Sequence, residues 1–364
     1  MSLTNYKVGN TDLSDIFKPY QNTTWTEQTN SGSRNWFSIS SSSDGTKLAA
    51  CPFGDYIYTS TNSGLSWIQQ TSSNKRNWGA ITSSSDGTKL AACVFGGYIY
   101  TSTNSGTTWV QQTSAGIRNW ISITTSSDGT KLGACVNNGY IYTSTNSGTT
   151  WIQQTNSGSR NWYSITSSTD GTKLSACVYG GYIYTSTNSG TTWIQQTNSG
   201  SRNWISISSS TDGTKLAACV FGGYIFTSSD SGETWIQQTN AGSRQWQSIT
   251  SSSDSSTLAA AVYQGNIYIS TDYGLTWIQQ TSAGFRNWQS ITSSSTGTKL
   301  AACVRPGYIY TCVINNNKAI QTNYLVNNQD LNEIFAPYSG VTQAIKTNYF
   351  VGNQDLNEIF DPIN

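Results

Sequence analysis

The chain has 364 residues, a formal net charge of +1, no histidine, and charged side chains at only 10% of its positions. That balance excludes a nucleic-acid binder working by bulk positive charge, and the missing histidine removes imidazole metal sites and histidine-dependent triads. No stretch approaches the ~20 apolar residues of a membrane span, and Met1 to Phe17 lacks the apolar run of a secretory signal. The expectation is a soluble, cytoplasmic or virion-associated protein with no nucleic-acid partner and no membrane span.

The first predicted element is a 17-residue motif, Thr4–Tyr20, which returns as Thr322–Tyr338 and Thr347–Ile363. Each copy reads Thr-Asn-Tyr, a short polar turn, then Asp-Leu-x-Asp/Glu-Ile-Phe, with Pro19, Pro337 or Pro362 close behind. Asp330 and Glu333 have capping-box spacing, and Leu331, Ile334 and Phe335 share one helical face. This predicts short helices with an apolar stripe, too short to persist unaided. Leu13, Phe17, Leu331, Phe335, Leu356 and Phe360 are the candidate docking residues, either on the chain itself or on a protein partner or second copy.

Between these tails one Trp series runs from Trp25 to Trp277 and a second from Trp36 to Trp288, each with an unbroken spacing of 42, and together they use all 14 tryptophans. A unit such as 151–192 contains Trp-Ile-Gln-Gln-Thr, Arg-Asn-Trp-Tyr-Ser-Ile-Thr, Lys-Leu-Ser-Ala-Cys-Val and Tyr-Ile-Tyr-Thr-Ser, each bounded by Gly, Asn or Asp. Four short strands per repeat of about 40 residues predict a propeller blade. The fold class is therefore all-β, a seven-bladed propeller of four-stranded repeats, with domains 1–22 (tail), 23–312 (propeller) and 313–364 (tail). Six of the seven cysteines share one repeat position, which is Ala261 in the remaining repeat. Equivalent strands of different blades are too far apart to bridge, so free thiols are expected, with Cys303 and Cys312 the one candidate pair.

Before the first Trp series stands Ser-x-Asn/Asp-x-Gly-x-Thr/Ser-Trp, in phase at Ser60–Trp67, Ser102–Trp109, Ser144–Trp151, Ser186–Trp193, Ser228–Trp235 and Ser270–Trp277. This resembles the Asp-box of sialidase-like propellers across residues 22–312, although the acid survives only as Asp230 and Asp272. The resemblance implies a turn between third and fourth strands. Trp25 would then open a fourth strand lacking its first three, and the strand near Thr24–Thr29 should complete the blade of residues 286–312. The tails resemble Tyr-x-Val…Asp-Leu-x-x-Ile-Phe repeats of large DNA virus proteins.

Alternation then sorts the loops onto two faces. The Asp-Gly-Thr-Lys turns and the Asp-box turns lie on a bottom face, the Gly-Gly-Tyr turns and the blade connections on a top face. Arg34, Arg76, Arg118, Arg160, Arg202, Arg244 and Arg286 recur at one top position. They either focus positive potential for an anionic ligand or stack on aromatics to tie down their own loops. Phe53, Phe95, Asn137, Tyr179, Phe221, Tyr263 and Arg305 mark a top position where the copies differ, as a tuned recognition surface or a drifting loop would. A second varying set is Phe37, Gly79, Ile121, Tyr163, Ile205, Gln247 and Gln289.

Sialidase-type chemistry needs a Tyr activated by Glu and an acid on the top face, and the repeat carries Gln where Glu27 stands. The reading is accordingly of no enzyme, no catalytic residue, no cofactor and no metal. The expected function is a binding or structural propeller, a virion or assembly component held by its tails and free to take a glycan or anionic ligand on top. The alternatives are a multivalent lectin and an assembly factor resembling photosystem II stability propellers.

Overall fold

A computed structural model describes residues 22–315 throughout, and residues 7–8, 11–12, 325–326, 329–330, 350–351 and 354–355 in the terminal stretches. The chain divides into Thr23–Ile314 and a second unit of Met1–Asn22 with Asn315–Asn364.

The first unit is a propeller of seven four-stranded blades. Blade 1 consists of Trp36–Ser41, Leu48–Asp55, Ile57–Ser60 and Ile68–Gln70, and the order repeats through blade 6, which ends at Ile278–Gln280. Blade 7 takes Trp288–Ser293, Lys299–Val304 and Ile309–Asn315 from one end of the propeller sequence and Asn22–Gln28 from the other. The closing strand is held by Gln28, which donates to Thr311 Oγ1 at 2.6 Å, and by the Tyr310 hydroxyl, which donates to Glu27.

The two Trp series explain why these strands stack as blades. The second series, Trp36 to Trp288, is fully buried, and each indole meets the edge of a third-strand ring at 5.1–5.4 Å and a first-series Trp at 6.0–6.2 Å. The core lies in the seams between blades: Ala91, Cys93 and Ile99 of blade 2 pack with Trp120 and Ile123 of blade 3. A large indole on one side requires a small residue on the other, which is why Ala261 can stand where six blades have Cys. All seven cysteines are free and buried.

Two further features hold the blades in a ring. The second strand leaves its own blade near the top and pairs with the first strand of the next, Phe53 with Asn77 and Asp55 with Arg76 in blade 1. The seams on either side of blade 7 keep only the single bridges Gly265 to Arg286 and Arg34 to Gly307. At the bottom of the hub the amide of Ser43 donates to the carbonyl of Ser85, Ser85 to Ser127, and so on through Thr169, Thr211, Ser253 and Ser295 back to Ser43, all at 2.7–2.8 Å.

The bottom turns are tied within each blade and across seams. Ser42 donates to Asp44, whose carboxylate also accepts from the Thr46 amide, and the same arrangement recurs in blades 2 to 6. These bonds hold Asp86, Asp128, Asp170 and Asp212 down to about 2, helped by the lysine of the preceding blade. That lysine's methylenes lie against the turn glycine, so a Cβ on Gly87 would come within 2.7 Å of Lys47.

In the second unit each terminal motif carries a two-stranded hairpin at the same offset: Lys7–Val8 with Thr11–Asp12, Leu325–Val326 with Gln329–Asp330, and Phe350–Val351 with Gln354–Asp355. Between the paired strands the sequence places Gly-Asn or Asn-Asn. The helices expected after them, with Leu13, Phe17, Leu331, Phe335, Leu356 and Phe360, lie outside the described residues.

Candidate functional site

The seven repeated arginines sit where the top connections enter the first strands. Each guanidinium lies over the third-strand ring of its own blade, Arg34 over Tyr58 at 4.2 Å, Arg76 over Tyr100 and Arg244 over Tyr268 at 4.3 Å. Arg118, Arg160, Arg202 and Arg286 lie at 4.5 Å over Tyr142, Tyr184, Phe226 and Tyr310. Every Nε donates to the carbonyl three residues earlier, from Ser31 for Arg34 to Ala283 for Arg286. Stacking uses the ring face and the Nε bond one edge, so the terminal nitrogens remain for a second task. Among the described residues only Arg34 meets a carboxylate, Asp55 at 3.1 Å. The two readings of the ring are thus compatible in geometry.

The varying positions are brought together in part. Phe37, Phe53 and Phe95 form a triangle with centroids 5.5–6.4 Å apart, and Arg305 reaches from blade 7 over Phe37 at 5.0 Å and Phe53 at 5.5 Å. On blade 4 Tyr163 and Tyr179 pair at 5.9 Å, and Phe221 and Tyr163 pack against one core cluster. Asn137 donates to Asn161 of the next blade at 2.6 Å, and Tyr263 stands apart and exposed. Sequence reasoning counted Lys75 with the top-face cations but missed Ile117 and Phe285, which also replace the usual Ser just before a ring arginine. Phe285 is 72% exposed and Ile117 63%. A break in an otherwise constant Ser was the available signal.

One chemical pairing also escaped the sequence reading. Glu27, the lone Glu in a position otherwise held by Gln, accepts from the Tyr310 hydroxyl beneath Arg286. Burial first, and then this bond to a carboxylate, push the Tyr310 phenol well up. Tyr58 similarly donates to Gln69 and reaches Asp55 at 3.4 Å. The buried thiols are inert by the same physics: desolvation drives Cys93, Cys177, Cys303 and Cys312 up to about 12. No cluster of three or more Cys, Asp or Glu that could hold a metal occurs among the described residues, and no helix among them is long and apolar enough to cross a membrane.

No protein-family model matches the chain, and no curated protein sequence matches it. Its likeness is to solved folds. YCF48 from Cyanidioschyzon merolae aligns over 81% of this chain and 99% of its own at 16% identity and a TM-score of 0.63. A structure of YCF48 bound to D1 peptide aligns over 81% and 98%, at 16% identity and 0.64. The GH74 xyloglucanase from Xanthomonas campestris aligns over 79% of this chain and 53% of its own, at 11% identity and 0.65. This chain spans about half the length of that enzyme. At these identities the likeness establishes the β-propeller fold alone. It also corrects the expectation of no enzyme: the same propeller fold carries glycoside hydrolases, and the Tyr-carboxylate pairing judged absent is present at Tyr310 and Glu27. The pairing escaped the sequence reading because the partner comes from the opposite end of the propeller sequence, 283 residues away.

Proposed function

We propose that this protein is a peptide-recognition propeller that acts as an assembly factor, taking a segment of a protein partner on its top face. The observation that carries the reading is charge: among the described residues the top holds eight arginines and Lys75 against two carboxylates, Asp55 and Glu27, both already hydrogen-bonded. Exposed Phe53, Tyr179, Tyr263, Ile117 and Phe285 interleave with these cations. Aromatic and arginine side chains around one opening are the composition of a protein-binding hot spot. The neighbouring fold whose structure holds a peptide supports the same reading. In this reading the octapeptide turns are Asp-boxes with a purely architectural role, and the three terminal motifs tether the propeller to its partner.

The test is to pan a library of random 12-residue peptides on the immobilised full-length chain. Enriched peptides should bind the native chain, lose at least tenfold in affinity with Phe53→Ser combined with Tyr179→Ser, and be indifferent to Lys131→Gln on the bottom. Enrichment of no peptide, or binding unchanged by the top-face variant, would overturn the reading. A glycan ligand is the second reading, favoured by the xyloglucanase neighbours. A glycan array on the same variants tests it.

A further inference from the structure

Arg305 differs from every other arginine of the propeller. The seven ring arginines each donate Nε to a nearby carbonyl, whereas Arg305 meets neither a side-chain nor a backbone acceptor for its guanidinium among the described residues. Its guanidinium is instead laid over Phe37 and Phe53, at 5.0 and 5.5 Å. It stands at the position that carries Phe, Asn or Tyr in the other six blades.

The surroundings of Arg305 are built for this one place. In blades 1 to 6 the residue after this position has positive φ, from 48° at Gln264 to 79° at Gly54. Blade 7 has Pro306 there, and its ring holds φ negative, so this turn follows a different path. Position 79 is Gly where the other six blades carry a side chain. A Cβ there would come 2.9 Å from the Trp120 carbonyl and 3.1 Å from the Phe95 ring, so its absence lets Phe95 lean toward Phe37. Departures from the repeat on blades 7 and 2 thus converge on one platform, with Phe37 and Phe53 of blade 1 between them.

A flat guanidinium fixed by two rings, with its N–H edge free, matches a carboxylate bidentately. The adjoining apolar surface, where Phe53 is 37% exposed, suits an apolar side chain beside that carboxylate. We propose that Arg305 receives an Asp or Glu carboxylate of a bound peptide while the residue next to it packs on Phe53 and Phe95. This rests on the peptide-binding reading and narrows it to one sector of the ring.

The experiment uses the full chain labelled with 15N-arginine, titrated with acetyl-Gly-Phe-Glu-Leu-Gly-amide, with the same peptide carrying Gln for Glu, and with sodium phosphate. The Glu peptide should shift the Arg305 Nε signal. Its affinity should fall at least tenfold with Arg305→Gln, fall by an intermediate amount with Arg305→Lys, and stay within twofold with Lys131→Gln. The Gln peptide should bind the native chain at least tenfold more weakly. Equal binding of the Gln peptide, equal binding by Arg305→Gln, or phosphate binding as tightly as the Glu peptide would overturn the proposal. Panned peptides that need the top face but not Arg305 would sink this proposal alone, whereas panning that yields no such peptide sinks the broader reading.

Discussion

Replacing Trp25 by Ala separates two roles of the closing strand. Trp25 is 5% exposed and stacks on Trp288 at 6.1 Å, so its truncation should cost about 3–5 kcal/mol in lost burial and residual cavity. For a unit of Thr23–Ile314, with an unfolding entropy of about 2.1 cal/mol/K per residue, this corresponds to a fall of about 5–8 °C in Tm. Trp151 is the matched control, 8% exposed and 6.2 Å from Trp120, and Trp151→Ala should lower Tm by a similar amount. The two variants should part in hydrogen exchange. The strand of Trp151 is joined to its blade by a short turn, whereas Asn22–Gln28 is joined to blade 7 only by pairing with Ile309–Asn315. Trp25→Ala should therefore accelerate exchange selectively across Ile309–Asn315, and Trp151→Ala should not. Equal protection of that strand in both variants would refute the argument that closure rests on the chain-end strand.

Acid should loosen the bottom turns. The carboxyls of Asp86, Asp128, Asp170 and Asp212 lie at about 2 when folded against an ordinary 3.8, so their stabilisation is present above about pH 4 and is lost as the pH falls through about 2. Circular dichroism from pH 5 to 1.5 should show the transition in that window, and replacing all four by Asn should flatten it; an unchanged slope would refute the assignment. The seam between blades 6 and 7 has Thr257 and Thr296 where the other seams place a lysine near the next blade's turn aspartate. Thr257→Lys with Thr296→Asp should show a favourable coupling of about 0.2–1 kcal/mol in a double-mutant cycle by thermal melts, and zero coupling would count against cross-seam pairing.

Much of this fold was legible because its period was. An unslipping interval of 42 between tryptophans fixes blade length, and the phase of the Ser-x-Asn/Asp-x-Gly turns fixes where the ring must close; Asn22–Gln28 lies where that phase required. The pairing of Phe53 with Asn77 was not legible, since a short Gly-rich segment reads as a turn and only ring curvature brings the next blade within reach. The arginine ring was found, but its stacking on rings 24 residues later depends on the twist between first and third strands. Arg305 appeared as one variant among seven. Its place over Phe37 and Phe53 follows from ring closure, which sets blade 7 beside blade 1, a neighbourhood that no periodicity shows.

The hub circuit from Ser43 back to itself is made entirely of main-chain atoms, and all its links point the same way around the axis. It works as a hoop of fixed circumference. Nearly identical tandem units are prone to be gained or lost as whole units, and side-chain drift would do nothing to prevent it. A chain with one unit more or fewer would have to close the same circuit at a different angle between successive links, and the directionality of hydrogen bonds opposes that change at every link at once. The backbone thereby gauges the number of blades independently of sequence, and leaves the top of each copy free to diverge without endangering the count.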